Sequence, residues 1–112
     1  MRFKRSHRIQ ELIYEGISKI VQRGLNDPRI GFATITKVEL SDNLKHAKIF
    51  VSVMGSEKEK TDTLEGMNSA KGFIRSTLGK NLYLKFLPAL EFRRDDNADH
   101  VEKISRKIIS IS

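Results

Sequence analysis

A change of hydrophobic period is the feature that most constrains how this chain folds. Ile9, Leu12, Ile13, Ile17, Ile20 and Val21 recur at offsets of 0, 3, 4, 8, 11 and 12, which lines one face of an α-helix. By residues 47–54 the period has dropped to two. Ala47, Ile49, Val51 and Val53 face one way, and Lys48, Phe50, Ser52 and Met54 the other, as in a half-buried strand. A chain that makes both kinds of apolar face buries them against each other, so an α+β fold is expected.

The flanking residues mark out the elements. The first helix is expected over residues 6–23, with Ser6 as its N-cap and Gly24 at its C-terminal cap. Gly16 lies on or beside its apolar stripe, where a missing side chain lets another element approach. Residues 25–31 are turn-rich: Pro28 keeps Asp27 out of the helical region and Gly31 permits a tight bend. Residues 32–40 are rich in β-branched side chains and read as a strand. Its alternation slips, since Ala33 and Ile35 share one parity and Val38 and Leu40 the other. A bulge near Thr36 or Lys37 reconciles them, and so do apolar contacts on both faces. A turn at 41–44 joins the two strands as a hairpin.

Ser56-Glu57-Lys58-Glu59 is a capping box. Helices are expected over about 57–69 and 73–81, with a kink at 70–72, because Gly66, Gly72 and Gly79 each cost a helix roughly 1 kcal/mol against alanine. Residues 82–86 and 90–92 keep even parity through Pro88 and read as a third strand, with an edge or bulge at the proline. A last helix follows an Asp95-Asp96-Asn97 cap, with Val101, Ile104, Ile108 and Ile111 on one side. The order is α-β-β-α-kink-α-β plus a C-terminal helix, in one domain spanning residues 1–112. A three-stranded sheet carries helices on one face, and the crossover of about 28 residues to the third strand admits a mixed sheet.

Charge narrows the partner. The chain carries 21 Lys+Arg against 14 Asp+Glu, a net +7. Residues 1–10 hold Arg2, Lys4, Arg5 and Arg8 and no acid; residues 66–90 hold Lys71, Arg75, Lys80 and Lys85 and no acid. The rest is nearly neutral, so the positive excess lies in two segments, as in a footprint for a polyanion. Chemistry is scarce elsewhere. With no cysteine, a disulfide scaffold, a thiolate metal site and a cysteine nucleophile are excluded. His7, His46 and His100 lack metal-ligand spacing, and Asp95, Asp96 and Asp99 are better explained as a helix cap than as paired carboxylates. No phosphate-cradling or nucleophile-elbow motif occurs. No apolar run approaches the roughly 18 residues of a membrane span, and charges occupy the N-terminus where a signal peptide is apolar. A cytoplasmic protein without enzymatic activity, cofactor, metal or small-molecule substrate is the expectation. Phe50 and Tyr83 fit either base stacking or burial. Asp27 and Arg29 read as a salt bridge supporting their loop.

Four stretches carry a resemblance. They are Arg8-Ile9 with the following helix, Asp27-Pro28-Arg29, the run from His46 to Gly55, and Gly72-Phe73-Ile74-Arg75 leading to Leu87-Pro88-Ala89-Leu90-Glu91-Phe92. In this order, over roughly residues 5–111, they resemble the ribosome-binding factor A family of bacterial small-subunit assembly factors, which implies a type II K-homology-like fold. Such domains usually clamp nucleic acid with a Gly-x-x-Gly loop. This chain lacks one, and Ala70-Lys71-Gly72 matches the family's Ala-x-Gly helix kink instead. Where the family often has Ser-Pro-Asp between its first strands, Ser41-Asp42-Asn43 stands here.

The resemblance implies a non-enzymatic factor that binds the free, immature small ribosomal subunit and promotes late maturation of 16S rRNA near its 5′-terminal helix, most importantly in the cold. Off the ribosome it would be a monomer. The RNA-binding candidates are Ala70, Lys71, Gly72, Arg75, Lys80 and Lys85, with Arg2, Lys4, Arg5 and Arg8. Two roles fit Gly72: letting Lys71 and Arg75 approach phosphate closely, or making room for helix packing. The alternative function is a protein-binding adaptor using the apolar edge of the sheet, which the charge pattern disfavours.

Overall fold

A computed structural model describes residues 2–25, 27–82 and 86–95, with side chains from Arg5 onward. Helix α1 (Arg2–Gln22) begins four residues before the expected Ser6 cap. The residues preceding Ser6 include no helix breaker, and a serine caps only where the backbone turns away from the helix. Ile13, Ile17 and Ile20 on its apolar stripe are buried.

Strands β1 (Ala33–Leu40) and β2 (His46–Val53) pair antiparallel, from Leu40 with Ala47 to Ala33 with Val53. The register slips between Ile35 and Lys37, so Thr36 is the extra residue of the expected bulge. The slip returns Ile35 and Val38 to one face, and both are buried. Thr36 Oγ1 donates to Phe50 O at 3.3 Å and to Asp95 Oδ2 at 2.6 Å. Asp95 therefore seals the bulge, and its own N–H donates to Val51 O at 2.9 Å. The helix it was expected to cap lies outside the described residues.

The capping box opens α2 (Glu57–Ser69): Ser56 Oγ accepts from Glu59 N, and Glu59 Oε1 accepts from Ser56 N, each at 3.2 Å. After a break at Ala70 comes α3 (Lys71–Asn81), which takes in two residues expected in the kink. Strand β3 (Ala89–Arg94) pairs parallel with β2, from His46 with Ala89 to Val51 with Arg94, giving a mixed sheet of order β1-β2-β3. The third strand thus starts later than the alternation at residues 82–86 implied. Leu82 is the C-cap of α3, and residues 86–88 lie outside any strand. The reason is geometric: β2 begins at His46, and a residue before Ala89 has no strand opposite it.

The sheet's core face carries Ile35, Val38, Ala47, Ile49, Val51, Val53, Leu90 and Phe92, packed with the helix residues Ile13, Ile17, Met67, Ile74 and Leu78. Gly16 does what its place on the stripe suggested: a Cβ there would collide with Leu78 Cδ1 of α3. No described helix is long and apolar enough to cross a membrane.

Candidate nucleic-acid interface

The site is built around the interruption between α2 and α3. Just before it, Asn68 turns toward the sheet. Its Nδ2 donates to Phe92 O at 3.2 Å and its Oδ1 accepts from Phe92 N at 3.0 Å. One side-chain amide thereby gives β3 the two bonds a neighbouring strand would give, and pins the end of α2 to the sheet edge. Ala70 then leaves helical geometry, with φ −88° and ψ 0°. Its N–H is shared between Gly66 O at 3.0 Å and Met67 O at 3.1 Å, and its carbonyl accepts Ile74 N at 2.9 Å.

Alanine has no acceptor with which to cap a helix, and no side chain caps the start of α3. Its first amides carry the positive end of the helix dipole, with no acid in the first turn to neutralise it. Lys71 and Gly72 are exposed there. A Cβ on Gly72 would meet nothing within 4 Å. Among the described residues, then, nothing packs against Gly72, and the space beside it is open.

The cations divide by geometry. Lys71 and Lys80 are exposed at opposite ends of α3, about 14 Å apart along a helix rising 1.5 Å per residue. Arg75 has a structural task that its sequence position did not reveal. Its Nε donates to Pro88 O at 3.0 Å and its Nη2 to Leu87 O at 2.8 Å. The guanidinium holds the segment leading into β3, although the residue as a whole remains exposed. Arg5 and Arg8 are exposed on α1, and Arg2 and Lys4 belong to its first turns by backbone. Lys85 lies outside the described residues.

Two contacts show which cations share a region. Gln10 Oε1 accepts from Leu40 N at 3.2 Å, and Ala89 N donates to Lys45 O at 2.8 Å. The N-terminal part of α1 and the chain leaving α3 thus reach the same end of the sheet, where β1 finishes and β2 begins. Lys80 belongs with the α1 arginines at this end. Ala70, Lys71 and Gly72 lie at the other end of α3.

Other candidates resolve differently. Phe50 stands on the sheet face opposite the core, half-buried, with Lys37 Nζ 5.4 Å from its ring centroid. Lys37 also pairs with Glu39 at 2.6 Å. Tyr83 lies outside the described residues. Asp27 and Arg29 form the expected salt bridge, with Nη2 to Oδ2 at 2.7 Å and Nε to Oδ1 at 3.1 Å. The Arg29 hydrogen bonds hold the Asp27 carboxyl below the ordinary carboxylate value, and Asp27 raises Arg29 in return. Thr63, almost wholly buried, ties this loop to α2 by accepting from Gly31 N at 3.1 Å and donating to Arg29 O at 3.3 Å. Among the described residues no group of three or more His, Cys, Asp and Glu could hold a metal ion.

Sequence reading missed Asn68 and Phe73. Phe73 is 64% exposed on α3. The signal for it was available: Ile74 and Leu78 set the apolar face, and Phe73 falls off it.

Comparison with known proteins completes the picture. The family model described as "Ribosome-binding factor A" matches residues 5–108. The ribosome-binding factor A of Geobacter metallireducens is 44% identical over 109 residues, covering 97% of this chain and 92% of that protein. The solution structure of a Thermotoga maritima protein assigned to ribosome binding factor A superposes with a TM-score of 0.71 at 35% identity, over 80% of this chain and 86% of the other. A Thermus thermophilus ribosome binding factor A homology model, fitted into the cryo-EM map of a 30S complex, shares the fold at a TM-score of 0.64 and 22% identity, covering 77% of this chain and 90% of that one. A helix pair broken at Ala70 on a three-stranded mixed sheet, and a match spanning almost the whole chain, place this protein in the ribosome-binding factor A family.

Proposed function

We propose that this protein binds the free small ribosomal subunit and acts there as an RNA-binding assembly factor without catalysing a reaction. The observation that carries the reading is the uncapped, acid-free start of α3, where Gly72 leaves the backbone open to approach. Family membership names the partner, and the Thermus thermophilus protein fitted into a 30S complex supports it. Phosphate oxygens would meet the amides of α3 with Lys71. Lys80, Lys85, Arg2, Lys4, Arg5 and Arg8 would extend the contact at the far end of the helix, with Arg75 contributing beside its carbonyl contacts. Such a surface reads backbone shape rather than base identity.

The finer role we infer is late maturation of 16S rRNA near its 5′-terminal helix. A binding protein shifts an RNA equilibrium only as far as it prefers one conformation. This assistance matters most in the cold, when misfolded RNA rearranges slowly. Cells lacking the protein should accumulate precursor 16S rRNA at low temperature, and normal processing there would remove the maturation role.

The direct test is co-sedimentation with small subunits. Lys71→Glu combined with Lys80→Glu should abolish it while leaving Tm nearly unchanged, since both side chains are exposed. Arg75 is the wrong residue for that experiment, because its loss also frees two carbonyls. With about five phosphates contacted, log affinity should fall against log salt with a slope of roughly −4. A flat response would point to a protein partner.

A further inference from the structure

We infer that the outward face of α3 is a stacking platform for an unpaired RNA base, with Phe73 as the stacking side chain. This deepens the RNA-binding reading above and rests on it, by naming the class of RNA the face takes. Residues 73, 76 and 80 are three and seven positions apart and share one side of the helix, with Gly72 beside them. All four are exposed, whereas Ile74 and Leu78 on the other side are buried. The helix therefore turns a phenyl ring to solvent while its core face is already filled.

Single exposed apolar side chains are common and by themselves mean little. The surroundings of Phe73 distinguish it. Helix α3 contains Lys71, Arg75 and Lys80 and no acid. The residues beside Phe73 on its own face are Gly72, Ser76 and Thr77, with Lys80 two turns on, and these are small, polar or cationic. Gly72 leaves the floor beside the ring open, with nothing within 4 Å of where a Cβ would be. Phe32 and Phe86 are more exposed, but they lie on connecting segments. Phe73 is instead held on a hydrogen-bonded helix, and its carbonyl also accepts from Thr77 Oγ1 at 2.9 Å.

A helix-mounted aromatic on an acid-free helix, with Lys80 two turns along the same face, suits a nucleotide, whose base stacks while a neighbouring phosphate meets the lysine. The base must be unpaired. In an A-form duplex the base faces are buried in the stack, and side chains reach only sugars, phosphates and groove edges.

The test measures binding of the full chain to a labelled single-stranded A12 RNA and to a 12-base-pair RNA duplex. Phe73→Ala and Phe73→Leu should each weaken A12 binding roughly ten-fold, Phe73→Trp should bind within about two-fold of wild type, and duplex binding should barely change. The leucine variant keeps apolar bulk and removes the aromatic face, so it separates stacking from general hydrophobic contact. Thermal unfolding of all three should match wild type within a few degrees, as the side chain is mostly exposed. Leucine binding A12 as well as phenylalanine would overturn the inference, and so would an equal loss on duplex. Wild type binding small subunits but not A12 would overturn it while leaving subunit binding intact. Wild type binding neither would remove the RNA reading itself. Loss of subunit binding with A12 affinity unchanged would reassign Phe73 to a ribosomal-protein contact.

Discussion

At the scale of single residues, the side chains that hold the site together are polar ones making two bonds each. Asn68 satisfies both backbone groups of Phe92. Asn68→Ala should cost about 1–3 kcal/mol, because it leaves a part-buried donor and acceptor unpaired. Asn68→Asp should not restore the loss, since an ionised carboxylate cannot donate to the Phe92 carbonyl. Denaturant midpoints of the two variants check this. Arg75 and Thr63 work in the same way, each bridging segments far apart in sequence. Such bonds leave no mark in a one-dimensional pattern, which is why Arg75 read only as a phosphate ligand. The two clearest carboxylate clamps set a pH dependence. Arg29 lowers the Asp27 carboxyl from its usual 3.8, and Arg94 lowers Glu57 from 4.5. A carboxyl held low in the folded state contributes stability that is complete above its unfolded value and is lost as pH falls toward the folded one. Stability should therefore decline below about pH 4, and less steeply in Asp27→Asn; an identical decline in that variant would separate the clamp from acid unfolding.

At the scale of elements, local chemistry carried most of the reading. The capping box, the bulge and the helix break each depend on residues within a few positions of one another, so their signals are contiguous. The ends that went differently depend on partners elsewhere. Strand β3 starts where β2 allows it, and α1 continues past Ser6 because nothing there turns the chain. The parallel pairing of β3 is also a non-local fact, and the sequence admitted it without requiring it. The glycines differ in their demands. Gly16→Ala should destabilise the fold by about 1–3 kcal/mol, since the new methyl must displace Leu78. Gly72→Ala should do the opposite, stabilising α3 by up to about 1 kcal/mol because alanine suits a helix and meets nothing. If approach from outside is what Gly72 serves, the same variant should bind small subunits more weakly. A higher Tm with undiminished co-sedimentation would remove that role.

At the scale of the whole molecule, the sequence located the two basic segments, but only the fold brings α1's N-terminal part and the far end of α3 to one end of the sheet. The sheet also joins two pairings of different reach. Across β1 and β2 the closest partners, Leu40 and Ala47, are about 7 residues apart, whereas β2 and β3 partners such as His46 and Ala89 are about 43 apart. Closing the shorter loop costs less chain entropy, so the hairpin can form first and β3 must wait for the helices to cross over. Amides of β3 should accordingly exchange with solvent sooner than those of β2 facing β1, as hydrogen exchange would show. Asn68 ties the helix break to this last-arriving strand. The geometry around Ala70 is therefore complete only once the sheet's longer-range pairing has closed, so a local feature of one helix depends on a contact made across more than a third of the chain.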